Sequence, residues 1–577
     1  MMERALAGPR AGAGVYGGLF FTTLGTLMYE ILLTRIFSVT MWYHFAFVAV
    51  SVALFGLTVG ALIVHLAPAW FSPERTRERL SQAALLFSFT IVASFVAQLW
   101  ILFDPAWSLR SIGTVAAIYL VISVPFVFSG IAVSLSLTRF PEQVSRLYAV
   151  DLIGAGLGTV TLIWLLDLLG DGPSAVIAIA ALAAVGGCCY ALDATQRRIV
   201  AFAALGVVVF AALAVGNAIA AQNHEPFLRI RYAKGEHETV PLYERWNAFS
   251  RIRVDGDPKT LDPPEAAGAG ESQEAKIRQL SVTIDAAAGT TLTAYDGNPL
   301  LLQRHFRNYV VNAAHFIRPD SRVLIVGSGG GWDVLAAMAF HQPSITAVEM
   351  NGATLKVVND RYGDFTGHLD QRPGISFVND EARSYIARSN RQYDIIQIPM
   401  TDTWAATAAG AFALSENSLY TVEAWKTFYD HLSPNGLMSV TRWYFIPRPM
   451  EAFRLTSLAA QVLREAGVKQ PSDHIMLVRG PLSYPEVSVV TILVSREPFT
   501  GADGEELGTL ASRLGWQVLL APSGAPSDPA FVRVAEAEDV SSLDLGFPGD
   551  ISPPTDDRPF FFQMIGFTDV FDRSVYG

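Results

Sequence analysis

Apolar positions in this chain follow one pattern up to about residue 221 and another pattern after it. The first part contains seven long apolar segments, each near or above the roughly 20 residues that span a bilayer as a helix. These segments lie at about 15–37, 41–67, 81–103, 112–138, 148–170, 173–192 and 198–221. After Gln222 the chain becomes polar, and no later segment is long and apolar enough to span. The pattern predicts a polytopic α-helical membrane domain, residues 1–221, followed by a domain outside the bilayer.

In the second part, strand-like and helix-like patterns alternate. Residues 243–254 and 278–284 alternate like strands on either side of a Pro-, Gly- and Glu-rich stretch. They predict a small β-subdomain at 222–300 with a flexible loop at 255–276. Strand patterns alternating with helical ones predict an α/β Rossmann-like domain with a parallel sheet at 301–500, and 501–577 is a C-terminal extension. Its strands are predicted at 323–326, 375–378, 393–398 and 437–441, and its helices near 353–361, 381–389, 421–432 and 450–466.

Residues 322–351 form the most informative stretch, which is typical of a nucleotide-binding βαβ unit. An apolar strand is followed at once by GSGGG at 327–331, then by a helix near Trp332 and a second strand that closes at Glu349. A glycine-rich turn lets a ligand approach the helix N-terminus, and a carboxylate about 20 residues on can accept both ribose hydroxyls. No GK[ST] follows, which disfavours a triphosphate P-loop and favours an adenosine-type ligand such as S-adenosylmethionine. The alternative is a purely structural turn.

The loops after the later strands are expected to complete the pocket, because open sheets bind ligands at the carboxyl ends of their strands. Asp380 is placed to accept a hydrogen bond from an adenine amino group, or else to cap the helix expected from Glu381. Asp402 is the candidate catalytic and substrate-binding residue, since a carboxylate can bind or deprotonate an amine; a solvated loop aspartate is the alternative. Trp404 is either a lid over the substrate or ordinary packing. The predicted cofactor-binding residues are Gly327, Ser328, Gly329, Gly331, Glu349 and Asp380.

Charge and composition exclude several other classes of function. The net charge of -11 argues against nucleic acid as a partner, since no basic stripe is available for phosphates. Cys188 and Cys189 are the only cysteines and are adjacent, so neither a disulfide framework nor a zinc site is expected. The ten histidines lack metal-ligand spacing, and neither GxSxG nor HExxH occurs, so no metal is predicted.

Charged residues in the first part bear on the membrane arrangement. Glu30, Arg35 and Asp151 lie in apolar segments and are interpreted as an intramembrane ion pair with interfacial anchors, or as groups that admit substrate. Arginines in the loops favour an N-terminus on the inside, and seven spans then put the second domain outside. Cofactor supply favours the cytoplasmic side instead, which requires that one span is miscounted, for example because the 148–170 segment is a broken helix. The protein is expected to be a multi-pass protein of the cell (inner) membrane, with the side of its second domain open.

At these residues the chain resembles the spermidine synthase family, the polyamine aminopropyltransferases, and in particular its membrane-fused branch. The resemblance covers about 240–445, while YEILLTRIFS, YAVDLIGAGLG and PPTDDRPFFF look like the fused branch. It implies decarboxylated S-adenosylmethionine as co-substrate, with Glu349 on the ribose, Asp380 on the adenine, and the amine in the loop after the fourth strand. Family enzymes carry Asp-Ser/Thr-Ser/Thr-Asp-Pro in that loop, whereas this chain has Pro399 at the first position and keeps Asp402. The GSGGGWD loop is closer to that of class I methyltransferases.

Three functions follow as hypotheses. The first is a membrane-bound transferase that moves an aminopropyl group to an amine. The second is a methyltransferase acting on a lipid or other membrane-soluble acceptor, for which positioning matters more than a strong base. The third is a non-catalytic transporter or ligand sensor. The expected partners are the bilayer and a small amine or lipid acceptor, and a homodimer is left open. The three phenylalanines at 560–562 are expected either to dock on a membrane surface or to pack against the sheet.

Overall fold

The computed structural model describes residues 10–41, 45–102, 108–248, 250–261, 276–401, 417–483, 485–522, 527–546 and 549–564. The chain divides into two compact units. The first comprises residues 1–254 with 283–286, and the second comprises 255–282 with 287–577. The domain boundaries predicted at residues 221, 300 and 500 stay predictions.

Long helices make up most of the first unit. They are α1 (Ala13–Thr40), α2 (Ala46–Leu66), α3 (Thr76–Gln98), α4 (Leu109–Thr138), α5 (Val144–Leu169), α6 (Gly172–Asp193) and α7 (Arg197–Gln222). By length and composition, these seven helices of the described chain are able to cross a membrane, which confirms the seven predicted segments. Helix α5 is continuous, so the broken helix considered for residues 148–170 is wrong.

Helix α1 packs against α2, α4, α5 and α6. Two glycines of α5 allow a close approach between α5 and α1. A Cβ added at Gly154 would lie 2.7 Å from the Phe20 carbonyl oxygen, and one at Gly158 would lie 2.8 Å from that of Leu24. The absence of a side chain at these two positions therefore lets the backbones of α1 and α5 come close together, as is usual where helices pack closely in membranes. Gly156 has no described neighbour within 4 Å of such a Cβ.

Arg35 of α1 forms an ion pair with an acidic residue outside the long helices. Its Nη2 lies 2.9 Å from both carboxylate oxygens of Asp285. The Lys234 ammonium donates a 2.7 Å hydrogen bond to the Asp285 carbonyl oxygen. Asp285 and Ala286 both have left-handed backbones, with φ of 51° and 53°, so these bonds hold a turn that non-glycine residues rarely adopt. The partner of Arg35 is thus not in a membrane-spanning segment, contrary to the interpretation as an intramembrane pair.

Four short strands follow in the first unit: β1 (Tyr232–Ala233), β2 (Glu236–His237), β3 (Tyr243–Trp246) and β4 (Arg251–Asp255). Strands β1 and β2 are antiparallel, and so are β3 and β4. Arg251 is buried and its Nη2 contacts Glu238 at 2.7 Å and Glu244 at 2.8 Å. A buried guanidinium loses its hydration, and the two carboxylates compensate for that loss. Without such partners, the buried charge would be strongly destabilising.

The second unit alternates strands and helices. In chain order its elements are β5 (Gln279–Ile284), β6 (Ala288–Thr293), α8 (Pro299–Phe306), α9 (Ala313–Ile317), β7 (Arg322–Val326), α10 (Trp332–Ala339), β8 (Ser344–Glu349), α11 (Gly352–Lys356), α12 (Gly363–Thr366), β9 (Ile375–Asn379), α13 (Ala382–Ala387), β10 (Tyr393–Ile398), α14 (Val422–Asp430), β11 (Leu432–Phe445), α15 (Met450–Glu465), β12 (Ile475–Arg479), β13 (Val487–Ser495), α16 (Gly501–Leu514), β14 (Gln517–Leu520) and α17 (Pro529–Glu536). Eight strands form its main sheet, in the order β14-β12-β13-β11-β10-β7-β8-β9.

This sheet is mixed, whereas the sequence predicts a parallel one. Strands β9, β8, β7, β10 and β11 are parallel, as expected from the alternation of strands and helices. Strand β13 pairs antiparallel with β11, and β12 is antiparallel to both β13 and β14. Every residue of β13 is buried, because the sheet is covered on both faces there. The expectation of a parallel sheet is confirmed for β7 to β11 and is wrong for the part that contains β12, β13 and β14.

The last described residues, 549–564, form a segment that we call the C-terminal strap. Nη1 of the buried Arg454 donates to the carbonyl oxygens of Phe560, Phe561 and Gln563 at 3.2, 2.7 and 2.9 Å. Phe561 is fully buried, and its ring centroid lies 4.7 Å from that of Tyr420. Packing of this phenylalanine within the second unit is therefore confirmed.

We expect Arg454→Met to loosen the strap, because three carbonyls lose a charged donor while the side-chain volume is kept. The cost is roughly 3 kcal/mol or more when several buried acceptors lose one charged partner. Chymotrypsin cleavage within the strap, after Phe560 or Phe562, should become several-fold faster in detergent. Arg513→Met, on the exposed face of α16, is the matched control. Equal cleavage rates in both variants would contradict this role of Arg454.

Candidate functional site

The glycine loop, residues 327–331, lies between β7 and α10. Gly327, Gly329 and Gly331 have φ values of +81°, +48° and +87°, a region that side-chain-bearing residues rarely adopt. Gly330 has a different requirement, since a Cβ at this position would lie 2.2 Å from the Thr291 carbonyl oxygen. The glycines are therefore needed both for the turn and for the close approach of β6.

All five backbone N–H groups of the glycine loop donate hydrogen bonds inside the chain. Gly327 and Ser328 donate to the Val348 carbonyl oxygen at 2.8 and 3.3 Å, and Gly331 donates to that of Ser328 at 2.9 Å. Gly329 donates to Glu349 Oε2 at 3.1 Å, and Gly330 donates to Thr290 Oγ1 at 3.1 Å. The N–H groups of these five residues are therefore not free to bind an anion. Such a loop does not cradle a phosphate, which agrees with the absence of a P-loop motif.

Glu349 ends β8 beside this loop, as the sequence predicts. Its Oε2 accepts from Gly329 and its Oε1 accepts a 2.8 Å bond from the Asn351 N–H. Burial raises the pKa of the Glu349 carboxyl, and the two backbone N–H donors oppose that rise. Each carboxylate oxygen has a second lone pair, so the fixed side chain can still accept two hydroxyl groups.

Asp380 directly follows the neighbouring strand β9. Its backbone N–H donates to the Glu349 carbonyl oxygen at 3.2 Å, which places the two acidic residues side by side. Asp380 Oδ1 accepts from the Glu381 N–H at 2.9 Å, and Arg388 forms an ion pair with Oδ2. Helix α13 begins at Ala382 and is capped by Glu381. The capping role considered for Asp380 therefore belongs to its neighbour.

The loop after β10 also reaches the glycine loop. A Cβ at Gly327 would lie 3.2 Å from the Thr401 methyl group, and Thr401 Oγ1 lies 3.3 Å from the Tyr420 hydroxyl oxygen. The structure thus brings together the four loops that the sequence analysis singled out. Asp402 and Trp404 lie outside the described residues, so their proposed roles stay predictions.

A buried chain of polar side chains runs beneath the loop, and the sequence analysis missed it. Gln397 Nε2 donates to Asp333 Oδ1 at 3.2 Å, and its Oε1 accepts from His315 Nε2 at 3.1 Å. Gln342 Nε2 donates to His315 Nδ1 at 3.2 Å. Burial raises the pKa of Asp333 to about 7 and lowers that of His315 to about 4. A polar Gln397 in the apolar run YDIIQI and Asp333 in WDVLAAMA were the available signals.

Within the described ranges, no group of three or more His, Cys, Asp or Glu side chains is arranged to hold a metal ion. Thr290 of β6 is a further residue of the site that the sequence analysis did not identify, because its contact with Gly330 is not visible in any motif.

Comparison with known proteins gives similar structures at low identity. No protein-family model matches the chain. The chain is similar to a spermidine synthase in complex with the transition state analogue AdoDATO, at 16% identity over 51% of this chain and 87% of that chain, with a TM-score of 0.31. It is similar to the spermidine synthase of Thermotoga maritima, at 17% identity, 51% and 87% coverage and a TM-score of 0.32. A probable spermidine synthase from Corynebacterium glutamicum matches at 16% identity, 52% and 98% coverage and a TM-score of 0.34. The strand order described above, and not these similarities, supports the fold assignment.

We expect Gly330→Ala to distort the glycine loop, because its Cβ would collide with the Thr291 backbone. Overpacking of this kind costs about 1–3 kcal/mol. The melting temperature in detergent should fall by several degrees. Gly289→Ala, two residues before Thr291 in β6, has open space around its Cβ and is the matched control. A Gly330→Ala variant as stable as the control would show that the loop can move away from β6.

We expect Asp333→Asn to stabilise the protein at alkaline pH. The native carboxyl keeps its proton up to about pH 7, whereas the unfolded one loses it near its ordinary value. The free energy of unfolding of the wild type therefore falls as the pH rises from about 4 through 7. At roughly 1.4 kcal/mol per pKa unit, the asparagine variant should gain a few kcal/mol at pH 8 and almost nothing at pH 4.

Asp394→Asn is the control for this measurement, because its effect on stability at alkaline pH should have the opposite sign. The side chains of Arg322 and Ser433 donate to the Asp394 carboxylate and lower its pKa. Asp394→Asn should therefore lower the free energy of unfolding at pH 8. This loss should become smaller as the pH falls through the pKa that Asp394 has in the folded protein. Melting temperatures at both pH values check both variants, and a pH-independent Asp333→Asn effect would contradict a protonated Asp333.

Proposed function

We propose that this protein is a membrane-bound transferase that binds S-adenosylmethionine, or its decarboxylated form, at the glycine loop and Glu349. It transfers a carbon group from the sulfonium of that co-substrate to an acceptor. Glu349 carries the proposal, because its carboxylate is fixed by two backbone N–H donors at the carboxyl end of β8. Two ribose hydroxyls fit the lone pairs that these donors leave free.

The N–H groups of the glycine loop already donate hydrogen bonds inside the chain. This supports a nucleoside without a phosphate group as the ligand. A dinucleotide or a triphosphate needs donors that residues 327–331 already use inside the chain. A sulfonium nucleoside is recognised through its ribose and base, which asks for acceptors such as Glu349 and Asp380. Asp380 would then bind the adenine amino group, although its contact with Arg388 has to leave one oxygen accessible.

Methyl transfer is the better-supported reaction of the two. Pro399, which is buried, occupies the position at which the resemblance to spermidine synthases calls for the aspartate base. Methyl transfer by displacement at the sulfonium carbon depends on alignment of the acceptor more than on a strong base. Aminopropyl transfer to an amine is the second candidate, and it depends on Asp402. The long apolar helices favour an acceptor that arrives through the membrane, such as a lipid. A non-catalytic sensor would bind the co-substrate without turnover.

Calorimetric titration of the purified full-length protein tests this proposal, with S-adenosylmethionine and its decarboxylated form as separate ligands. We expect Glu349→Ala to weaken the binding of the preferred ligand at least tenfold, since two hydrogen bonds to a charged acceptor are lost. Glu506→Ala, an exposed position on α16, is the matched control.

The two ligands discriminate between the candidate reactions. Tighter binding of S-adenosylmethionine supports methyl transfer, and tighter binding of the decarboxylated form supports aminopropyl transfer. Binding that Glu349→Ala leaves unchanged would place the ligand elsewhere, and no binding of either ligand would refute the proposal.

A further inference from the structure

Four aromatic side chains from α8, the residues after it and α10 form a cluster that we call the aromatic wall: His305, Phe306, Tyr309 and Trp332. The Trp332 ring centroid lies 5.0 Å from that of Phe306 and 5.1 Å from that of Tyr309, and both pairs meet edge to face. The His305 ring lies 6.3 Å from that of Tyr309, also edge to face. Trp332 is the first residue of α10 and directly follows the glycine loop. The wall therefore directly follows the glycine loop in the chain.

Three buried nitrogen atoms of the aromatic wall have no hydrogen-bond partner in the described part of the chain. They are Nδ1 and Nε2 of His305, which is only 3% exposed, and Nε1 of Trp332. An unsatisfied buried polar atom costs about 1–3 kcal/mol, and native proteins rarely leave several together. Ordinary packing would use phenylalanine at position 305. The unpartnered nitrogens therefore indicate a ligand that supplies the missing partners.

The position of the wall fits an acceptor better than the co-substrate. The Val311 carbonyl oxygen, close to Tyr309 in the chain, lies 3.5 Å from Gln397 Nε2 near the carboxyl end of β10. Glu349 and Asp380 follow β8 and β9, on the other side of β7 from β10 in the sheet order. An acceptor bound beside β10 and a nucleoside bound beside β8 would meet at the glycine loop, as an in-line displacement requires.

We propose that the aromatic wall binds the acceptor, and that the acceptor is an uncharged planar molecule with a hydroxyl group, of the phenol type. One His305 nitrogen would accept the hydroxyl proton in a hydrogen bond, while Trp332 Nε1 would donate to the hydroxyl oxygen. This inference rests on the proposed transferase function and specifies its substrate class.

The chemistry of the wall disfavours a cationic amine. Burial lowers the pKa of His305 to about 4, so this ring is neutral at pH 7. Asp333, next to Trp332 in the chain, is not a wall residue; it is held by Gln397, and burial raises its pKa to about 7, so it is only about half ionised at pH 7. A buried ammonium group would thus lack a counter-charge among the described wall residues.

Binding of a matched pair of probes tests the proposal in the full-length protein in one fixed detergent. 4-Methylphenol and 1,4-dimethylbenzene have nearly the same shape, and only the first has a hydroxyl group. We expect His305→Phe to weaken the binding of 4-methylphenol about tenfold and that of 1,4-dimethylbenzene less than twofold, because only 4-methylphenol loses a hydrogen bond. The melting temperature should not fall, because the variant removes two unpartnered buried nitrogens.

Other outcomes would overturn the inference. Unchanged binding of 4-methylphenol in His305→Phe, or equal loss of both probes together with a lower melting temperature, would make His305 a structural residue. Tighter binding of 1,4-diaminobutane than of 4-methylphenol in the wild type would refute an uncharged acceptor. S-Adenosylmethionine binding, which His305→Phe should leave unchanged, separates the two proposals. If the wild type does not bind S-adenosylmethionine, the proposed transferase function fails and this inference is not what has failed. If the wild type binds S-adenosylmethionine but His305→Phe changes the affinity for neither probe, this inference alone fails.

Discussion

Five consecutive backbone N–H groups, from Gly327 to Gly331, donate to oxygen atoms of the same chain. Their acceptors belong to β6, to β8 and to the loop itself, so the positions of three segments are tied to one turn. Glu349 takes part as an acceptor and is thereby fixed before any ligand arrives. A hydrogen-bond acceptor that is already fixed loses little conformational entropy when a ligand binds. In the proposed function, recognition would therefore depend on the carboxylate oxygen atoms of Glu349, which are already held in place.

Neutral polar groups dominate the interior behind that turn. Asp333, Gln397, His315 and Gln342 form one connected set of hydrogen bonds, and burial shifts both titratable members towards their uncharged forms. Such a set fixes side-chain orientation at low electrostatic cost, since no isolated charge is desolvated. His305 lies in a similarly apolar environment but has no described partner. The contrast between the two buried histidines is the physical basis for treating one as structural and the other as a ligand contact.

Sequence periodicity predicted the helices, the parallel strands and the place of Glu349, because each depends on local patterns or on the rule for carboxyl ends of strands. It did not predict β12 to β14, since a buried antiparallel strand such as 487–495 has the same apolar composition as a parallel one. The hydrogen bonds of Thr290 and Gln397 could not be predicted from the sequence either. Their partners are 40 and 64 residues away, and a motif carries no information about such contacts. Arg35 shows the same limit, because its partner Asp285 is 250 residues away.

The C-terminal strap has a consequence for biosynthesis. A ribosome makes the chain from its N-terminus, so α1 to α7 emerge more than 300 residues before the strap does. Until then, the Arg454 guanidinium and the ring of Tyr420 lack the carbonyls and the phenylalanine that cover them in the finished protein. Domains with incomplete cores expose apolar surface and are prone to aggregate. The seven long apolar helices are therefore made while the second unit is still unfinished, and that unit closes only after the strap has been made.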